Sequence, residues 1–68
     1  MKLYRIITGP DDSAFCHRVT KAASNGWKLH GSPTMSFHAG EGVTICGQAI
    51  TKDVPDEQYR EGIKLGDY

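Results

Sequence analysis

Three stretches of the chain alternate apolar and polar residues with the period of two that is typical of β-strands. Residues 3–8 form the first, which stops at a glycine–proline pair. Residues 27–31 and 34–38 form the second. Pro33, which lies between these two halves, has no backbone N–H to donate to a neighbouring strand and therefore predicts a bulge, an edge or a break. Residues 43–52 form the third and longest strand, after a glycine-containing hairpin loop.

A helical period separates the first two strands. Pro10 suits the first position of a helix, and the two acidic residues after it complement the helix dipole, so we expect the helix to begin there. It should end at Asn25-Gly26, because glycine adopts the left-handed conformation of a helix C-terminus. The predicted buried stripe consists of Phe15, Val19, Ala22 and Ala23, with Cys16 beside it.

This order predicts an α+β fold of the type β-α-β-β: a three-stranded mixed sheet with one helix packed on one face, followed by an irregular C-terminal tail. The first two strands should run in the same direction with the third between them, antiparallel to both. We predict a β-α-β-β domain over residues 1–54 and an acidic tail over 55–68, with a short helical turn near 57–60. The small residues Gly47 and Ala49 would leave room for the helix or Trp27.

One helix covers only one face of such a sheet. The strands carry apolar residues on both faces, which favours a homo-oligomer, and most simply a homodimer, that covers the other face. The candidate interface residues are Tyr4, Ile6 and Ile50.

Size and charge exclude several classes of protein. The 68 residues make at most one domain and carry eight basic and eight acidic side chains. Residues 1–52 have a net charge of +3 and residues 53–68 of −3, so no clustered basic face points to nucleic acid. The tail should lie on its own body, lie on a neighbouring subunit, or stay solvated; its apolar residues also suggest docking of a protein partner through residues 55–68.

Location and redox state follow from the same residues. No apolar run approaches the length of a membrane span, and charged residues near the start argue against a signal peptide. Two cysteines are too few for a disulfide scaffold. We therefore expect a cytoplasmic protein with no membrane contact, no nucleic acid partner and no cofactor.

The sequence contains candidates for three kinds of chemical site. Cys16 and His17 lie near the start of the helix, a position that can lower the pKa of a thiol and activate it. Neighbouring side chains on a helix point about 100° apart, however, so His17 is poorly placed to act as a base for Cys16. A buried, inert Cys16 is therefore favoured, and no catalytic residue is predicted. The three histidines and two cysteines lack the short paired spacings of a zinc site, so no metal ligand is predicted. A cationic ligand site is proposed for Arg5, Lys28, His30 and Lys52, with a charged outer face as its simpler explanation.

Seven segments spread over nearly the whole chain form a recognisable pattern. They are residues 2–5, 8–12, 15–19, 26–29, 31–34, 46–49 with Lys52, and 63–68. Together they resemble the domain-of-unknown-function 1737 family of small bacterial and phage proteins. The resemblance implies a stand-alone domain and carries no catalytic or binding residues.

Three functions remain open at this point. The first is a non-catalytic binding or interaction module that acts as a homo-oligomer. The second is a binder of a small phosphorylated or nucleotide-like ligand at a subunit interface. The third, least favoured, is a small thiol enzyme.

Overall fold

The computed structural model describes residues 1–68 and confirms the α+β fold and its β-α-β-β order. Strands β1 and β3 are longer than predicted, and the two halves of the predicted second strand form one continuous β2. A single turn of 3₁₀ helix lies in the tail. The elements are β1 (Lys2–Pro10), α1 (Ser13–Ser24), β2 (Lys28–His38), β3 (Val43–Asp53) and the 3₁₀ helix (Leu65–Asp67).

The strand order in the sheet is β1-β3-β2, as predicted. Both hydrogen-bonded pairs are antiparallel, with Leu3 opposite Lys52 in one and Lys28 opposite Thr51 in the other, so the sheet is antiparallel rather than mixed. β1 and β2 therefore run in the same direction without touching, and α1 connects them across the sheet. The connection is long enough to step over β3 because a whole helix lies within it.

The helix begins later than predicted, and Pro10 is not its first residue. Pro10 is the last residue of β1, paired with Ile45, and Asp12 is the N-cap of α1. The Asp12 side chain accepts a hydrogen bond of 3.1 Å from the Phe15 backbone N–H, which satisfies one free donor of the first turn. Proline is tolerated here because β1 is an edge strand. The other end is as predicted, with Gly26 at φ +93° after the C-cap Asn25.

Strand β2 passes through Pro33 instead of stopping there. The register shifts by two residues between His30 and Thr34, which confirms the predicted bulge on an edge strand. Gly31 has φ +70° at this point. The side chain of Gln48 on β3 bridges the gap, since its Nε2 donates to the carbonyl oxygens of His30 and Gly31 at 3.3 Å each.

The core lies between α1 and one face of the sheet. Its buried side chains are Leu3, Ile7, Ala22, Trp27 and Ile50. Trp27 enters it directly after the helix stop, with Phe15 and Val19 of the helix packed at its margin. Because a domain of this size has few buried residues, one tryptophan carries a large part of the stability.

The C-terminal tail folds back on the body of the same protomer. Val54, Ile63, Leu65 and Tyr68 pack against the core, and the Met1 and Val54 main chains exchange hydrogen bonds of 2.8 and 2.7 Å. The helical turn predicted near 57–60 is absent, and the helical turn of the tail lies at Leu65–Asp67. The reason is that apolar contacts with the core, rather than local propensity, order this segment.

Candidate interaction face and cationic pocket

The sheet face opposite α1 is covered by no other element, and we call it the open face. The strand register defines its residues, because side chains directly opposite each other on neighbouring strands share a face. Its apolar centre consists of Tyr4, Ile6, Val43, Ile45, Gly47 and Ala49. Its polar border on β2 consists of Lys28, His30, Thr34, Ser36 and His38.

The two large side chains that β1 contributes to the apolar centre of the open face are exposed. Tyr4 is 54% exposed and Ile6 is 57% exposed. At Gly47, a Cβ atom would lie 2.9 Å from Thr34 Oγ1, so the absence of a side chain lets the β2 side chain pack closely. The prediction that Gly47 and Ala49 make room for the helix or Trp27 is therefore wrong, since both lie on the side of the sheet away from them.

The chain exposes more surface than an isolated protein of its size. Its accessible area is 5019 Å² at a mass of 7.5 kDa, whereas the scaling for monomers gives about 4,250 Å². Its radius of gyration is 13.8 Å, against about 11 Å for a compact domain of this length. The excess of about 770 Å² is close to the ~800 Å² that each partner buries in a protein–protein interface of standard size.

The three predicted interface residues do not lie together. Tyr4 and Ile6 are on the open face, but Ile50 is 0% exposed in the core, opposite Arg5 and Leu29 on the helix side. Successive side chains of a strand point to opposite faces, so Ile50 lies on the other side of the sheet from its neighbour Ala49. Ala49 is on the open face and Ile50 on the face that carries α1, so the prediction of Ile50 as an interface residue is wrong.

The four predicted cationic ligand residues also separate into two pairs. Lys28 and His30 lie on the open face, whereas Arg5 and Lys52 lie on the helix side around Trp27. The Arg5 guanidinium carbon is 5.5 Å and Lys52 Nζ 5.9 Å from the centre of the tryptophan ring. A single site that uses all four residues is excluded by the sheet between the pairs.

A different cationic cluster forms on the helix side, and we call it the cationic pocket. It is a cavity of ≈ 290 Å³ between α1, β1 and the tail. Its polar and aromatic walls are Arg5, Arg18, Lys21, Asn25, Trp27 and Tyr68. Only Arg5 was among the predicted ligand residues. The signal for the others was the three-residue spacing of Arg18 and Lys21, which places two cations on one side of a helix.

The two cysteines occupy different environments. Cys16 is exposed on α1, so the prediction that it is buried is wrong: Phe15 takes the position that faces the sheet. Cys46 is buried on β3, and burial, followed by the negative charge of Asp11, raises the pKa of its thiol above the ordinary value of 9.0. A raised pKa keeps Cys46 protonated and unreactive at neutral pH.

Two further observations concern metal ions and membranes. No group of three or more histidine, cysteine, aspartate or glutamate side chains is placed to share a metal ion. No helix has both the length and the apolar character required to cross a membrane.

In the tail, burial and then a 3.1 Å hydrogen bond from Tyr68 Oη to the Glu57 carboxylate raise the pKa of Tyr68.

Comparisons with known proteins identify a family but no characterised relative. No curated protein matches the chain, and no solved structure matches it. The family model described as "Domain of unknown function (DUF1737)" matches residues 1–53, which end where β3 ends and leave out the segment 63–68 that contributed to the resemblance. Since this match covers more than half of the sequence, the chain belongs to the DUF1737 family.

Proposed function

We propose that this protein is a non-catalytic interaction module that acts as a homodimer joined through the open face. The observation that carries the proposal is the excess of about 770 Å² of accessible surface over the scaling for monomers. The molecule is elongated, 44 × 24 × 19 Å, and exposed apolar side chains lie on both faces of the sheet. Tyr4 and Ile6 lie on the open face, while Leu29, Met35 and Phe37 lie on the helix side of β2, beyond the reach of α1. We place the interface on the open face because its apolar centre spans β1 and β3, and an apolar surface shared by neighbouring strands is typical of an interaction site.

A second copy of the chain is the partner that fits this face best. The net charge of zero produces no long-range repulsion between copies. A two-fold axis through the open face would place the apolar centre of one copy on that of the other, with the polar border of β2 outside. This arrangement is self-complementary and needs no second protein.

Pairing through the face is favoured over pairing through the β2 edge of the sheet. The exposed edge of β2 is interrupted by the bulge at Gly31 and by Pro33, features that disfavour the addition of another strand. The tail is not part of the proposed interface, because its apolar residues Ile63, Leu65 and Tyr68 already pack on the core of their own protomer. Tyr59 is the large apolar residue of the tail that stays exposed, at 70%.

The proposal places the protein in the cytoplasm of a bacterium, with a bacterial or phage gene as its source. Cys16 and Cys46 are both unpaired, which fits a reducing compartment. The bacterial or phage origin is supported by the family resemblance alone. The thiol-enzyme hypothesis is not carried further, because the buried thiol is kept protonated and the exposed one has no support beyond its place on α1.

Sedimentation equilibrium of the full chain over a wide range of concentrations tests the proposal. We expect a mass of about twice the 7.5 kDa of one chain, with dissociation at low concentration. Amide chemical shifts measured across the same range should change mainly at open-face residues. A mass of one chain at millimolar concentration would refute the homodimer, and shifts confined to the helix would refute the face.

A further inference from the structure

We infer that the cationic pocket binds a small phosphate monoester within a single protomer. Its lining contains three basic side chains, Arg5, Arg18 and Lys21, and no acidic one. Because like charges that line one cavity repel each other, an anion with two negative charges would relieve that repulsion. A phosphate monoester carries between one and two negative charges at neutral pH, whereas a carboxylate carries one.

Two of the cations are held in place before any ligand arrives. Arg18 Nη1 donates a hydrogen bond of 2.7 Å to the carbonyl oxygen of Thr8, which leaves its other N–H groups free. The Arg5 guanidinium is held over the Trp27 ring at 5.5 Å. Preorganised donors of this kind lose little freedom on binding, and the fork of an arginine matches the oxygens of a phosphate.

The third cation is placed by the helix. Lys21 lies three residues after Arg18, so the two side chains project from one side of α1 toward the same cavity. A lysine near a helix C-terminus also interacts favourably with the helix dipole, and this alone could account for a lysine at position 21. It does not account for Arg5, which reaches the same cavity from β1. The convergence of two elements is what indicates a ligand.

The tail completes the pocket and limits its size. Lys52 Nζ donates to the carbonyl oxygen of Asn25, at 2.8 Å, and to a main-chain oxygen of Tyr68, at 2.7 Å, so it joins the helix end to the tail beside the cavity. Gly66 and Tyr68 form that wall. A volume of ≈ 290 Å³ is at the lower end of ligand sites, which suits a phosphate group with a small organic body and excludes a dinucleotide.

The site is independent of the proposed dimer. The cationic pocket is on the helix side of the sheet, so pairing through the open face leaves it accessible. The binding experiment and the sedimentation experiment can therefore fail separately.

Titrations with inorganic phosphate and phenyl phosphate test the inference. Trp27 is the single tryptophan and lines the pocket, so its fluorescence reports binding, and thermal unfolding provides a second readout. Against sodium chloride at equal ionic strength, we expect a saturable fluorescence change with phenyl phosphate. At tenfold the dissociation constant, the melting temperature should rise by about 5 °C or more.

Two matched variants locate the site. Lys21→Gln should weaken phenyl phosphate binding about tenfold, because it removes a charged donor from the pocket. Lys28→Gln makes the same charge change on the open face and should leave the affinity unchanged. A Lys21 side chain that only supported the helix would lower the melting temperature equally with and without phosphate.

Several results would overturn the inference. Equal losses of affinity in the two variants would mean that binding reports net charge alone. Chloride that reproduces the phosphate effect would show simple screening. Benzoate that binds more tightly than phenyl phosphate would show that the pocket selects a carboxylate.

Discussion

Gln48 donates a hydrogen bond from Nε2 to the carbonyl oxygen of His30. This side-chain amide replaces backbone hydrogen bonds between β2 and β3 that the bulge interrupts. The distance is 3.3 Å, with an equal distance to Gly31 and a 2.9 Å bond to the carbonyl oxygen of Ala49. Gln48 is the buried polar side chain of the domain. It allows the bulged strand β2 to remain attached to β3 on both sides of Pro33.

Replacing Gln48 should therefore loosen the bulge. We expect Gln48→Leu to lower the free energy of unfolding by about 1–2 kcal/mol, since the side chain keeps its size but loses its donors. Urea denaturation followed by circular dichroism measures the change. The matched control is Gln58→Leu in the tail, where the side chain is exposed and the stability should stay nearly constant. Equal stability of the two variants would show that water replaces the bridge.

Trp27 should be the side chain that the fold tolerates losing least. Trp27→Ala is expected to cost about 3–5 kcal/mol, which is comparable to the whole stability of about 3–10 kcal/mol for a domain of this length. The variant should be largely unfolded at 25 °C by circular dichroism. Leu29→Ala removes an apolar side chain two residues away that is mostly exposed, and it should retain the fold. A cooperative melt of Trp27→Ala near that of the unmodified protein would contradict this account of the core.

A charge placed on the open face should separate the proposed dimer. Ile6→Glu puts a carboxylate in its apolar centre, and we expect sedimentation to give the mass of one chain. Met35→Glu is the matched control, because Met35 is 63% exposed on β2 but faces the helix side of the sheet. That variant should remain a dimer. Dissociation by both variants, or by neither, would contradict pairing through the open face.

Stability should fall as the solution becomes alkaline. The folded state raises the pKa of Cys46 above its ordinary 9.0 and that of Tyr68 above its ordinary 10.0. At a pH between the ordinary pKa and the raised pKa of either group, the folded state holds a proton that the unfolded chain has lost. The contribution is therefore complete below about pH 9 and is lost as the pH rises through the folded values.

Urea denaturation at pH 8, 9, 10 and 11 measures this loss. Tyr68→Phe should reduce the dependence of stability on pH above 10, because it removes the half-buried phenol that donates a hydrogen bond to Glu57. Tyr59→Phe is the control, because it makes the same substitution at an exposed tyrosine and should leave the free energy of unfolding nearly constant. A pH profile that is flat to pH 11 in the unmodified protein would contradict the prediction.

The local pattern of apolar and polar residues was sufficient to predict the secondary-structure elements and to predict which strand residues share a face. The period of two placed Leu3, Arg5 and Ile7 together and Tyr4 with Ile6, as the strand register confirms. The helix stop before Trp27 and the strand order were also predicted correctly. These features depend on residues close in sequence, or on the few ways in which a helix can connect two strands.

Tertiary structure decided which face is covered and which charges meet. Alternation alone assigned Ile50 to one side of β3, but only the position of α1 buries that side. Arg18 approaches Arg5 because the helix packs along β1, and Tyr68 reaches the same cavity because the tail folds back on the core. Such contacts join residues far apart in the chain, so the sequence by itself determined the elements and their faces, while long-range packing determined the open face and the cationic pocket.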